Sequence, residues 1–310
     1  MKQNAEKIVG SILESYNKHE KTCRRDEDNM INRELLIEVT EEIRRLLFPG
    51  FFEGAKLRGE YVKYLVGQRL EFIQYNLSKQ IARIIGDCEK NNEDCRCEAR
   101  AHAEEIVYEF LDRIPYIRDC LATDVEAAYA GDPAAYSTDE IIFSYPGLFA
   151  ITVYRIAHEL WKLDVPMIPR IMTEHAHSVT GIDIHPGATI GHHFFIDHGT
   201  GIVIGETTVI GNNVKIYQGV TLGALSTRKG QQLQGVKRHP TIGDDVTIYS
   251  SASILGGDTV IGNGVTVGGN AFIVSSVSDG MKVSVKNPEL QFSQGSSGEL
   301  SQAEFWTWEI

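Results

Sequence analysis

The chain has 310 residues, 42% of them hydrophobic and 23% charged, enough to bury the cores of two ordinary domains. Thirty Lys and Arg against 42 Asp and Glu leave a formal net charge of -12, which argues against nucleic acid or an anionic membrane as the main partner. The longest apolar stretch, residues 141–157, is broken by Pro146 and charged by Arg155, so no bilayer span is expected. The opening MKQNAEKIVG lacks the apolar core of a secretory signal. Five cysteines is an odd count, and Cys95-Arg-Cys97 is too tightly spaced for a paired zinc motif, so the thiols read as reduced and the protein as cytoplasmic.

The first half reads as helix. Leu35, Leu36, Val39, Ile43, Leu46 and Leu47 recur at helical spacing and stop at Pro49-Gly50. Leu65, Leu70, Ile73, Leu77, Ile81 and Ile84 form a second stripe. A third, Ile106, Val107, Phe110, Leu111 and Ile114, runs up to Pro115. The aromatic and Met residues of this half are expected to be core.

Glycine then changes the character of the chain: eight of 29 lie in the first 180 residues and 19 lie from Gly181 to Gly280. Aliphatics now recur every six residues, first as Ile184, Ile190, Ile196 and Ile202, then as Ile204, Ile210, Ile216 and Leu222. Ile242, Ile248 and Ile254 resume the pattern, and Ile261, Val267 and Ile273 continue it one residue out of step. A short repeat with one inward aliphatic and small residues between is the signature of a β-helix. The expected fold is therefore α+β in two parts: an all-α helical domain at 1–180, a left-handed parallel β-helix of hexapeptide repeats at 181–285, and a flexible tail at 286–310.

Three breaks interrupt the repeat. Two extra residues fall within the run from Ile196 to Ile204, displacing Asp197 and His198 from the regular wall. Residues 223–240 make an excursion that carries Arg228, Lys229, Lys237, Arg238 and His239 and no acid. The third, near Leu255-Gly256-Gly257, needs no more than a glycine-eased bulge. A slip sacrifices stacked contacts, so each interruption needs either a tolerance argument or a function.

Four separated motifs agree in order: Asp183-Ile184-His185-Pro186, then Ile196-Asp197-His198-Gly199-Thr200-Gly201-Ile202-Val203-Ile204-Gly205-Glu206-Thr207, then Tyr217-Gln218-Gly219-Val220-Thr221-Leu222-Gly223, then Lys237-Arg238-His239-Pro240. Together with Ala122-Thr123-Asp124-Val125-Glu126-Ala127 and Asp132-Pro133 upstream, they resemble serine O-acetyltransferase over residues 121–274. The resemblance implies acetyl transfer from acetyl-CoA to the hydroxyl of L-serine, on a β-helix that trimerises with active sites between subunits.

Acyl transfer to an alcohol needs a base for the hydroxyl proton and a donor for the tetrahedral oxyanion. His198 is the natural base, since imidazole titrates near working pH. By resemblance Asp183 orients it, Arg238 and His239 bind the serine carboxylate and its surroundings, and Asp132 and Asp197 meet the amine and hydroxyl. Glu206 matches an acid of the family's site. Contacts to coenzyme A are expected from backbone around Gly223, Ala224, Ser250 and Gly269, although the family commonly has Leu-Gly-Gly where this chain has Leu222-Gly223-Ala224. No metal is expected. The resemblance further implies feedback inhibition by L-cysteine, a homotrimer or a dimer of trimers, and docking of the terminal Ile310 into O-acetylserine sulfhydrylase. Rival readings are an acetyltransferase for a sugar or antibiotic, a zinc hydrolase using His185, His192, His193 and His198, and a non-catalytic scaffold.

Overall fold

The computed structural model describes residues 2–23, 30–53, 60–86 and 93–286. Most of the tail, including Ile310, therefore lies outside the described residues. The first half holds α1 (Lys2–Lys18), α2 (Arg33–Leu47), α3 (Glu60–Ile85), α4 (Glu93–Asp112), α5 (Ile114–Gly131), α6 (Thr138–Ser144), α7 (Pro146–Lys162) and α8 (Ile168–Thr180). The three predicted stripes fall on α2, α3 and the α4–α5 junction, and Leu36, Val39, Ile43, Ile73, Leu77, Ile81, Val107 and Phe110 are wholly buried. Asn32 caps α2 through its side chain, which accepts from the Leu35 amide at 2.9 Å. Pro146, which breaks the apolar stretch, opens α7, where a missing amide costs nothing. The aromatics depart from expectation, for Tyr61, Tyr64, Tyr75 and Tyr108 on α3 and α4 are exposed. Among the described residues no helix is long and apolar enough to cross a membrane, and Cys23, Cys97 and Cys120 are free thiols.

From Asp183 the chain winds as a parallel β-helix, the left-handed form that the six-residue period predicts. The first turn is β1 (Asp183–Ile184), β2 (Thr189–Ile190) and β3 (Phe195–Asp197); the second is β4 (Val203–Ile204), β5 (Val209–Ile210) and β6 (Lys215–Tyr217). The third is β7 (Thr221–Gly223), β8 (Thr241–Ile242) and β9 (Thr247–Ile248), and the fourth β10 (Ser253–Leu255), β11 (Val260–Ile261) and β12 (Thr266–Val267). β13 (Phe272–Ile273) and β14 (Lys282–Val283) close it. Three faces result: face A stacks β1, β4, β7, β10 and β13; face B stacks β2, β5, β8 and β11; face C stacks β3, β6, β9, β12 and β14. Ile184, Ile204, Leu222, Ile254 and Ile273 form the inward column of face A. Ile196, Ile216, Ile248, Val267 and Val283 form that of face C.

One register differs from the sequence reading. Ile202 is buried but does not follow Ile196 in a strand; Ile204 takes that rung, paired with Ile184. Ile202 instead lines the corner between faces C and A, at the place that Val220 occupies one turn later, just before the strand residues Val203 and Thr221 pair. Asp197 pairs with Tyr217. Three residues, Gln218, Gly219 and Val220, link Tyr217 to Thr221, whereas five link Asp197 to Val203. The Gly219 amide bonds the Thr200 carbonyl, which matches Thr200-Gly201-Ile202 to Gln218-Gly219-Val220 and leaves His198-Gly199 as the insertion. The third break is the small bulge expected, with Gly256 at φ 106°.

The helices cover face C at its start. Arg155 of α7 makes a two-pronged ion pair with Asp124 of α5 (2.6 and 2.9 Å) and donates to the Gly191 carbonyl at 2.8 Å. Asp124 also accepts from the Phe194 amide (2.9 Å), and Thr123 from the His193 amide (3.0 Å). The Thr123-Asp124 pair of the upstream motif is thus a dock that satisfies the backbone of the first turn's corner between faces B and C. Both charges are buried, so removing one partner strands the other. Arg155→Met is expected to lower the free energy of unfolding, measured by denaturant titration, by about 3–5 kcal/mol, whereas an effect below about 1 kcal/mol would show the dock to be dispensable.

Candidate active site

The insertion decides where His198 stands. His198 adopts φ 58° and Gly199 φ 95°. A side chain on Gly199 would strike Ile182 and Ile196 in the interior, so only glycine packs there. With Gly199 turned inward, His198 is thrown outward, its side chain 74% exposed at the corner between faces C and A. Its Nε2 lies 3.9 Å from Oδ1 of Asp197, the last residue of β3.

Three elements bring further groups to this corner. Lys215, at the start of β6, places Nζ 3.2 Å from Asp197 Oδ2 and donates to the Gly131 carbonyl at 2.7 Å. Asp132, just past the end of α5, has both carboxylate oxygens engaged: the Tyr145 hydroxyl donates at 2.5 Å and the Ala134 amide at 2.8 Å. The Tyr145 bond, with the Ala134 amide, holds the Asp132 carboxyl below the usual carboxylate range, and the same bond pushes Tyr145 up to about 12. Asp132 is therefore a fixed anion near His198 and Lys215.

A second group forms at the corner between faces A and B. The excursion after β7 returns as Lys237-Arg238-His239 and lies over Gly205-Glu206-Thr207 of the turn below. Lys237 fastens it, donating to the carbonyls of Thr207 and His239 at 2.6 Å each. Arg238 pairs with Glu206 and donates to the Leu233 carbonyl, so Glu206 aims the guanidinium. His239 is 8% exposed and packs on Gly205, where a Cβ would overlap its ring. Thr207 fixes its tautomer. Thr207 Oγ1 accepts from the amides of Arg238 (2.9 Å) and His239 (3.1 Å), so its own proton goes to His239 Nδ1 at 2.9 Å. The Thr207 amide donates to the same nitrogen at 3.0 Å. Nδ1 is thus an acceptor and Nε2 carries the proton. Burial lowers His239 to about 4, as it does His185 nearby, whose Nδ1 accepts from the Gly187 amide. His239 is a neutral donor and not a base.

Asp183 stands apart from both groups. It lies 3.7 Å from Arg170 of α8, and no hydrogen bond or ion pair joins it to His198 within the protomer. Glu174, His177 and Asp183 have donor atoms within 4.8 Å of one another, but the Arg170 guanidinium pairs with both carboxylates and supplies the cation they need. His185, His192, His193 and His198 are spread over three corners, and among the described residues they do not gather into a metal-ligating cluster. Of the positions expected to meet coenzyme A, Gly223 and Ala224 leave the corner between faces A and B, whereas Ser250 and Gly269 adjoin at the corner between C and A, where a side chain on Gly269 would meet the Ser250 carbonyl.

Apart from Asp183, the sequence-predicted residues therefore divide into two sets: Asp132, Asp197, His198, Ser250 and Gly269 on one corner, and Glu206, Arg238, His239, Gly223 and Ala224 on another. Sequence reasoning missed Lys215, Tyr145 and the role of Thr207. Thr207 stood inside a quoted motif, but nothing in the pattern marks a lysine at a strand start or a tyrosine between two helices.

Comparison with known proteins found no matching family model. The chain is 46% identical over 259 residues to a plasmid-encoded serine acetyltransferase of Synechococcus elongatus, covering 82% of this chain and 81% of that one. Among solved structures it resembles serine acetyltransferase isoform 3 of Entamoeba histolytica in complex with cysteine (TM-score 0.70, 37% identity, 87% of each chain). It also resembles a serine acetyltransferase in complex with CoA (TM-score 0.51, 29% identity, 80% of this chain and 96% of that one).

The two buried imidazoles set a pH dependence. Unfolded, each takes a proton near 6.5; folded, neither does until about 4. Between those values the unfolded state binds more protons, so stability is lost as pH falls through the window and is complete above it. The melting temperature is expected to drop from pH 6.5 to pH 4, and His239→Gln to make the drop shallower; an unchanged slope in that variant would contradict the assignment.

Proposed function

Because the chain belongs to the serine acetyltransferase family, we propose that it moves the acetyl group of acetyl-CoA to the hydroxyl of L-serine, with His198 as general base. The observation that carries this reading is the His198-Gly199 insertion, which sets an exposed imidazole beside two fixed acids. The imidazole takes the serine hydroxyl proton as the oxygen attacks the thioester carbonyl. The tetrahedral intermediate then collapses, and the imidazolium returns the proton to the departing CoA sulfur, leaving O-acetyl-L-serine. A carboxylate beside the ring favours the imidazolium formed in between. Asp197 is the acid nearest His198 in the protomer, and Asp183 takes the orienting role if the ring swings toward face A.

The serine ammonium is bound by Asp132 with Asp197, and its carboxylate by Arg238 with the Nε2 proton of His239. These groups stand on different corners, so a single acceptor contacts both only where the corner of one protomer meets the other corner of a neighbour. We assign that junction to a trimer about an axis parallel to the β-helix. Exposed Val203 on face A and Val209 and Val260 on face B supply apolar surface for it. The same junction brings Gly223 and Ala224 of one subunit toward Ser250 and Gly269 of the next, as walls for CoA. L-cysteine shares the α-amino acid frame of serine and differs only in its thiol, so it competes for the same contacts and inhibits. Work in the cytoplasm and capture of Ile310 by O-acetylserine sulfhydrylase complete the assignment; deleting Ile310 would abolish co-elution with that enzyme.

Thiol release from acetyl-CoA tests the reaction. It should depend on L-serine and fall by about 100- to 10,000-fold in His198→Ala. Release with a hexose in place of serine would replace the acceptor, and a fully active His198→Ala would remove the base.

A further inference from the structure

Lys215 is not a solvated strand lysine. Its side chain is 21% exposed and its ammonium has four neighbours: the Gly131 carbonyl at 2.7 Å, Asp197 Oδ2 at 3.2 Å, and the rings of Tyr217 (4.6 Å) and Phe195 (4.9 Å). Burial pulls this ammonium down, but its bonds to Tyr217 and Asp197 outweigh that and hold it above the ordinary lysine value. The Gly131 carbonyl is the last of α5 and carries the partial negative charge of a helix C-terminus. Gly131 itself packs against the Phe195 ring, whose edge a Cβ there would meet at 2.8 Å.

We propose that Lys215 is a positioning residue of the acceptor site, tying the end of α5 that carries Asp132 to the end of β3 that carries Asp197 and fixing the gap between these two acids. The inference rests on the acetyl-transfer reading for its kinetic consequence. Two carboxylates that converge on one substrate ammonium repel each other while the site is empty. A fixed cation against Asp197 offsets that repulsion, and Asp132, oriented by the neutral donors Tyr145 and Ala134 and in no ion pair among the described residues, keeps its charge for the ammonium. Lys215 also joins the two halves of the chain at the point where the substrate binds, since Asp132 comes from the helical half and Asp197 from the β-helix. The contacts of Lys215 are to Gly131, Asp197, Tyr217 and Phe195 and not to Ser250 or Gly269, which lie one and two turns further along the same corner, so its effect is expected on L-serine and not on acetyl-CoA.

The test compares Lys215→Met, which keeps the length and loses the charge, with Lys215→Arg, which keeps the charge and the reach to two acceptors. For Lys215→Met the KM for L-serine is expected to rise by about tenfold or more, with the KM for acetyl-CoA within about twofold of wild type. Lys215→Arg should recover most of the loss. Amide exchange at Gly131, Asp132, Ala134 and Ala135 should quicken in Lys215→Met and not in Lys215→Arg, whatever the activity. An unchanged KM for serine, equal rises for both substrates, or an Arg variant as impaired as the Met variant would overturn the proposal. A wild-type protein with no serine-dependent release would overturn the acetyl-transfer reading instead, and the exchange comparison would still decide the tether.

Discussion

Corner stacking is the constraint on which the rest of this molecule depends. In a solenoid each residue sits above its counterpart one turn away, so the backbone of one corner dictates that of the next. At the corner between faces C and A the pattern runs through Gly181, Gly201, Gly219, Ser251 and Asn270, all at positive φ. Ile182, Ile202, Val220, Ala252 and Ala271 sit inside as a buried column. His198-Gly199 enters this column without a counterpart above or below. The glycine absorbs the strain and faces inward, and the histidine is left with no regular neighbour. The solenoid fixes the backbone beneath this exposed imidazole because the turns around the insertion keep their register.

The other corner follows the same logic on a larger scale. An excursion between β7 and β8 returns to the stack through Pro240, whose carbonyl accepts from the Val209 amide. The residues just before that return, Lys237-Arg238-His239, settle onto the preceding turn through backbone amide bonds to Thr207 and a lysine that grips three carbonyls. Charge and tautomer are set by neighbours on the turn below: Glu206 for the guanidinium, Thr207 for the imidazole. The helical half enters through Asp124 and Arg155, which anchor it on the first turn, and through Asp132 and Tyr145, which it delivers to the corner of His198. A helical layer and two solenoid irregularities together supply the acids, the exposed imidazole and the guanidinium of the proposed site, on surfaces that a single protomer keeps apart.

Much of this was legible in the residues, for reasons that can be named. Period six is imposed by three short faces per turn, so the aliphatic columns could be read directly, and the breaks in that period fall at the two corners to which function is assigned in our proposal. Register at the first break could not be read, because Ile202 and Ile204 are both aliphatic and both buried; only strand pairing separates a corner residue from a rung. The pairing of Asp183 with Arg170 is equally invisible, since it joins a helix to a strand across no fixed spacing. Lys215 and Tyr145 escaped for the same reason: their partners lie 84 and 13 residues away. The exposed tyrosines of α3 and α4 show the limit of reading aromatics as core, for a ring at helical spacing says nothing of which face it occupies.

The central claim is that one active site is built from His198 of one subunit and Arg238 of its neighbour. Subunit mixing tests it most directly. His198→Ala and Arg238→Ala, each inactive alone, are denatured, mixed in equal amounts, refolded together and assayed for serine-dependent thiol release. If the site is shared, random assembly pairs an intact base with an intact guanidinium at about one quarter of the junctions. Activity near a quarter of wild type is the predicted result. If both groups serve the same protomer's site, every site in the mixture is damaged, and a mixture as inactive as its parents would contradict the account.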